Sequence, residues 1–427
     1  MEHSTWEVAL SGAIFVAAYV LIILDKFDRT IIALSGAALM IFLKILNQEE
    51  AFLEIDYNTI GLLISMMVIV MITRRSGVFE YLAVKTVKIA KGEPFQIIIL
   101  LSLITGIISA FLDNVTTILL ILPVTFTVAK DLHINPVPFI ISEIFASNVG
   151  GTATLIGDPP NIMIGSAVGL SFIDFIKNDA VIAFPMMFLT TYIFAVLYKK
   201  KLTATKDAKE KVMQMDETRC ITDHTLLRKS LIVLSITILG FLLHSQLHFE
   251  SATIAIGGAV LLLAISKVKA EKILEEVEWK TIFFFIGLFI MVGGIKETGI
   301  IKMLAQGVLD FTHGDLVLTT MAILWVSAIA SAFIDNIPFV ATMIPMIKDL
   351  GALSGMNLNP LWWALSLGAC LGGNGTIIGA SANVIATGMA EERGHKITFA
   401  KYFKIAFPVM LLTIVICMFY LYLFYLM

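Results

Sequence analysis

Apolar residues run along this chain in blocks such as Val8 to Leu24, Ile31 to Leu46 and Ala180 to Tyr198, divided by short polar connectors. A hydrocarbon core of about 30 Å needs roughly 20 apolar residues in a helix, so blocks of this kind predict membrane spans. In the first half the pattern places spans near 8–24, 30–46, 58–73, 137–176 and 180–198. The fourth is overlong because SNVGGTATLIGDPPN, Ser147 to Asn161, interrupts it with paired glycines, an aspartate and two consecutive prolines. Two further apolar arms, 95–112 and 115–130, meet at Asp113-Asn114. Each arm reads either as a full span or as one limb of a re-entrant hairpin. A junction at a charged residue lies at an aqueous face or at a buried tip, and bent backbone inside a membrane survives only where protein or a water-filled cavity lines it. The hairpin is the favoured reading.

The pattern then recurs. The chain matches itself at an offset of 222 residues, so that SAFLDN at Ser109 to Asn114 returns as SAFIDN at Ser331 to Asn336. Without a gap, Gly36, Gly77, Pro123, Pro138, Gly150, Thr154, Gly157 and Asn161 find Gly258, Gly299, Pro345, Pro360, Gly372, Thr376, Gly379 and Asn383. The matched positions are Gly, Pro, Asp and Asn rather than Leu and Ile, so shared hydrophobicity does not explain them. Five crossings and a hairpin make an odd unit, which turns the second copy upside down. The expected fold is an all-α integral membrane protein with two inverted repeats. Each has about five transmembrane helices plus a re-entrant hairpin, with broken helices at the centre. The expected division is 1–198 for the first repeat, 199–229 for a cytoplasmic linker and 230–427 for the second repeat.

Composition agrees. Of 427 residues, 58% are hydrophobic and 15% charged, with a mean hydropathy of +0.91, which leaves no sizeable soluble domain. The net charge of -3 gives no sign of nucleic-acid binding. No basic region or small-residue cleavage site attends the first apolar run, which is expected to be retained. If KKKLTATKDAKEK (Lys199 to Lys211) is cytoplasmic, Arg74, Arg75, Lys85, Lys88, Lys91, Lys267, Lys269, Lys272, Lys280, Arg393, Lys396 and Lys401 also fall inside. The acidic stretch Asn47 to Asp56 then falls outside, as do both termini. Val78 to Lys91 and Ile300 to Phe311 read as helices lying in the interface. Cys220, Cys370 and Cys417 are too scattered for a disulfide framework, and the histidines lack metal-ligand spacing, so no metal site is expected.

The chemistry is expected where the regular backbone stops. Half-helices expose unpaired amides and carbonyls. Around the two breaks, Asn148, Thr152, Thr154, Asp158, Asn161, Asn374, Thr376, Ser381 and Asn383 add polar side chains. The tips add Asp113, Asn114, Thr116 and Thr117 in one copy and Asp335 and Asn336 in the other. Together these are the expected substrate and ion site. Ionisable residues inside a membrane are costly and usually functional, which makes Asp113 and Asp335 the expected proton carriers. Glu143 joins them because its counterpart is the apolar Leu365, whereas Lys348, opposite Phe126, reads as a solvated base. No GxxxxGK[ST], HExxH or GxSxG motif occurs, so a secondary transporter is expected rather than an enzyme or an ATP-driven pump.

Taken together, SAFLDNVTT with GGTATLIGDPPN and SAFIDNIPF with LGGNGTIIGASAN resemble the ArsB/NhaD permease family of the ion transporter superfamily, especially members similar to the melanosomal P protein. The likeness spans nearly the whole chain. It implies a relation to the divalent anion:sodium symporters, whose tips typically carry Ser-Asn-Thr where this chain has Asp-Asn-Val and Asp-Asn-Ile. An added aspartate repels a dianion, so a sodium-coupled anion transporter ranks third. Proton-coupled efflux of arsenite or antimonite ranks first and sodium/proton antiport second. No cofactor is expected beyond the coupling ion, H+ or Na+. The expected partners are a small inorganic ion or metalloid and the lipid bilayer of the plasma (inner) membrane. The sequence leaves open a homodimer and, for an arsenite permease, a separate ATPase subunit.

Overall fold

Caps and prolines mark many of the helix starts, and two of them recur between the copies, the capping Asp113 and Asp335 and the first-turn Pro138 and Pro360. The computed structural model describes residues 4–24 and 26–427. Met1 to His3, on which the expectation for the amino terminus falls, and Asp25 lie outside the described residues. In the first copy the principal helices are α1 (Thr5–Leu24), α2 (Arg29–Phe42), α3 (Tyr57–Arg74), α4 (Val78–Ile89), α5 (Pro94–Ser109), α6 (Asn114–Asp131), α7 (Val137–Thr152), α8 (Pro159–Val168) and α9 (Val181–Tyr198). In the second they are α10 (His224–Leu247), α11 (Ser251–Ser266), α12 (Trp279–Glu297), α13 (Ile300–Thr312), α14 (Leu316–Phe333), α15 (Asn336–Ser354), α16 (Asn359–Gly372), α17 (Ser381–Glu392) and α18 (Phe399–Leu421). From α2 to α8 every first residue has its counterpart 222 positions later. Among the described residues there is no strand.

The copies pack reciprocally. Helix α2 lies on α12 while α11 lies on α3, and α8 meets α15 while α17 meets α6. Each copy thus uses the same surface to hold the other, as a two-fold axis requires. The broken helices α7 and α16 meet each other across that axis. Each also rests closely on the first arm of its own hairpin. A Cβ at Gly150 would lie 2.0 Å from the Gly106 carbonyl oxygen, and one at Gly372 would lie 2.4 Å from that of Ala328. Only glycine permits the approach.

The hairpin reading holds, as the anchoring of its ends shows. In the linker helix Lys206–Met213, Lys209 pairs with Glu93 at 2.7 Å, just before α5. Lys211 of the same helix pairs with Asp131 at 2.7 Å, where α6 ends. Both feet of the first hairpin therefore stand on one side, and its tip reaches the centre. With the two hairpins set aside, the described residues leave ten segments of the kind expected to cross the membrane: α1, α2, α3, α7 with α8, and α9, and their five counterparts.

Candidate functional site

The tips and the breaks are tied together by hydrogen bonds that repeat between the copies. Asp113 caps α6, its carboxylate accepting from the Thr116 amide at 2.8 Å. Asp335 does the same for α15 through the Ile337 amide at 3.1 Å. Thr154 donates its hydroxyl to the Ala110 carbonyl, and Thr376 donates to that of Ala332, clasping each break to its own tip. Asn161 donates to the carbonyls of Thr152 and Thr154, and Asn383 to those of Gly373 and Thr376. Carbonyls orphaned by the breaks are satisfied in this way, as buried backbone demands.

The copies meet in a cluster of amides. Asn114 donates to Asn148, which donates in turn to Asn374 at 3.0 Å and to Asn383 at 2.9 Å. The Asn374 Nδ2 is buried and makes no hydrogen bond among the described residues. Beside the cluster a cavity of about 60 Å³ is lined by Asp113, Asn114, Asp158, Asn336, Arg29 and Glu278, among others. Arg29, Glu278 and Ser381 also line a wider cleft of about 600 Å³ that includes Asp28, Lys280 and Asp335.

Charge in the two cavities is unbalanced. Arg29 bonds Asp335 and Ser381, at 2.9 and 2.7 Å, and Lys280 pairs with Asp28 at 3.2 Å. Asp113, Asp158 and Glu278 then have no salt-bridge partner among the described residues. Asp158 is fully buried and its carboxylate accepts from the Asn336 amide, at 3.3 and 3.4 Å, while the nearby Cys370 thiol donates to the Asn161 Oδ1 at 3.4 Å.

Of the residues expected from sequence, Asp113, Asn114, Asp158, Asp335, Asn336 and Ser381 line these cavities. Asn148, Asn161, Asn374 and Asn383 form the amide framework behind them. Thr117, Thr152, Thr154 and Thr376 give their hydroxyls to backbone carbonyls, while Thr116 serves through its backbone amide. Glu143 stands apart from the cavities, its carboxylate oxygens both 2.9 Å from the Thr125 hydroxyl. Sequence reasoning missed Arg29 and Glu278, which sit at helix starts and read as connector charges. Their signal was available in the repeat, since the counterpart of Arg29 is Ser251 and that of Glu278 is Asp56.

Comparisons with known proteins agree with the architecture. The chain is 42% identical over 418 residues to a transporter of Mycobacterium tuberculosis, covering 96% of this chain and 97% of that one. It is 41% identical to the 46 kDa membrane protein of Mycobacterium leprae, over 97% and 98% of the two chains. It is 33% identical to the human P protein, over 97% of this chain and 60% of that longer one. The crystal structure of the Alcanivorax borkumensis YdaH transporter, described as having an unusual topology, shares the fold with a TM-score of 0.56 at 12% identity, over 97% of both chains. A family model described as CitMHS, citrate transporter, matches residues 19–368. The chain therefore belongs to the CitMHS family of transporters and is a multi-pass membrane permease rather than an enzyme.

Proposed function

We propose that this permease is a proton-coupled cation exchanger of the plasma (inner) membrane, moving sodium against protons through the cavity between the two hairpin tips. The observation that carries the reading is the charge imbalance there. Asp113, Asp158 and Glu278 face the cavities with no salt-bridge partner among the described residues, because Arg29 and Lys280 are engaged with other acids. Carboxylates crowded in a low-dielectric site repel one another, and a bound proton or hard cation relieves that repulsion. Sodium prefers oxygen ligands, which the carboxylates and the Asn114 and Asn336 amide oxygens offer. Citrate, named in the description of the matching family, carries several negative charges at neutral pH and would meet the same acids as repulsion.

Proton-coupled efflux of arsenite or antimonite is the second reading. It rests on the ArsB/NhaD resemblance and on the unbonded Asn374 Nδ2, a buried neutral donor suited to the oxygen of an uncharged metalloid acid. The test is a pH gradient across liposomes holding the purified protein. Sodium added outside is expected to dissipate it, and arsenite is not. Dissipation by arsenite alone would promote the second reading, and dissipation by neither would remove both.

A further inference from the structure

The buried carboxyl of Asp179 is not part of the cavities described above. It lies in the π-helical turn Ile176–Ala180 that leads into α9, fully buried, two residues from the exposed Lys177. Single π turns inside helices often mark functional positions. Its Oδ2 is 2.5 Å from the Ser366 Oγ, and its Oδ1 has no hydrogen-bond partner among the described residues.

The protons in this contact can be counted. The Asn161 amide is oriented without ambiguity, because its Nδ2 faces two backbone carbonyls that only accept. Its Oδ1 therefore faces the Ser366 Oγ at 2.7 Å. One serine hydroxyl carries one proton, yet it touches two acceptor oxygens, Asn161 Oδ1 and Asp179 Oδ2. If Asp179 were ionised, one of those two short contacts would set lone pair against lone pair. If Asp179 carries a proton, its O–H donates to Ser366, and Ser366 donates to Asn161. Both contacts are then hydrogen bonds, and no oxygen pair is left without a proton.

We propose that Asp179 is a proton-binding site of this protein, protonated in the conformation described here and joined through Ser366 and Asn161 to the break of the first copy. The proton is released to water, leaving a carboxylate, when α16 and its Ser366 move away from Asn161 and Asp179. Helix α16 belongs to the second copy and Asp179 to the first, so a movement that separates these two elements breaks this contact. The coupling role rests on the exchange reading above, whereas the protonation state does not.

Infrared difference spectroscopy of the full-length protein in lipid separates the two. At neutral pH the wild type is expected to show the carbonyl stretch of a protonated carboxyl that is missing in Asp179→Asn. Ser366→Ala, which keeps the acid and removes its acceptor, is expected to move that band to higher frequency. Proton flux in liposomes is expected to fall at least tenfold in Asp179→Asn. A spectrum unchanged by Asp179→Asn and Ser366→Ala overturns the proposal, whatever the flux. A lost band with wild-type flux confines Asp179 to a structural acid and overturns its part in coupling. If the wild type moves no protons, the exchange reading fails while the band still decides the protonation of Asp179.

Discussion

The two hairpin tips share a sequence motif and a cap but not a charge environment. Asp113 and Asp335 each open a second hairpin arm by accepting from a backbone amide of its first turn. Asp335 then receives Arg29 from the opposite copy, while the residue matching Arg29 at the 222-residue offset is Ser251, which carries no charge. Other acids follow the same bias: Asp158 faces Ala380, Glu143 faces Leu365, and Asp179 faces Lys401 across the repeat. The tip acids Asp113 and Asp335 and the pair Asp56 and Glu278 are duplicated, but Arg29, Asp158, Glu143 and Asp179 are not, so the copies differ in charge balance. The duplicated residues build the shared scaffold, and the acids without a salt bridge among the described residues carry the exchange reading proposed above.

Removing the charge at the first tip is expected to have the largest effect. Asp113→Asn or Asp158→Asn should lower sodium-driven proton flux about 100-fold or more, about 3 kcal/mol, by taking a carboxylate from a dehydrated cation site. Asp335→Asn should cost less flux, because its charge is already balanced by Arg29; equal losses at the two tips would erase the distinction. Next comes the pair itself. Arg29→Ala leaves Asp335 uncompensated and should lower stability by about 1–3 kcal/mol, the pair being only partly buried.

Scaffold changes should instead act alike in the two copies. Gly150→Ala and Gly372→Ala each force a methyl group into a facing carbonyl and should lower Tm, at about 1–3 kcal/mol each. Thr154→Val and Thr376→Val lose one clasp hydrogen bond each and should cost about 1 kcal/mol, again equally. Thermal unfolding in detergent measures all four. A difference of more than about 1 kcal/mol within a pair would mean that the copies are not equivalent as scaffolds.

Much of this scaffold was legible in the sequence because it is built from residues with few conformational alternatives. Glycines that admit a close approach, prolines that open helices and asparagines that close the breaks all stood out at the 222-residue offset. The tips and breaks could therefore be placed together before any coordinates were known. What the sequence hid was the pairing across copies. Arg29 follows Asp28 in a short charged connector, and nothing local shows that it reaches Asp335 more than three hundred residues away. Asp179 was obscured in the same way, since Lys177-Asn178-Asp179 reads as a polar connector although the π turn directs the acid inward. The threonines are held in a way the sequence did not show, since Thr117, Thr152, Thr154 and Thr376 donate their hydroxyl protons to backbone carbonyls.

The central claim is that an acidic cavity, in which Asp113 forms no salt bridge among the described residues, exchanges protons for a cation. It is tested most directly by a sodium jump on liposomes that hold a pH gradient, with wild type and Asp113→Asn assayed side by side. The account predicts rapid collapse of the gradient by the wild type and almost none by the variant. Equal collapse by both proteins, or collapse that does not depend on sodium, would contradict it.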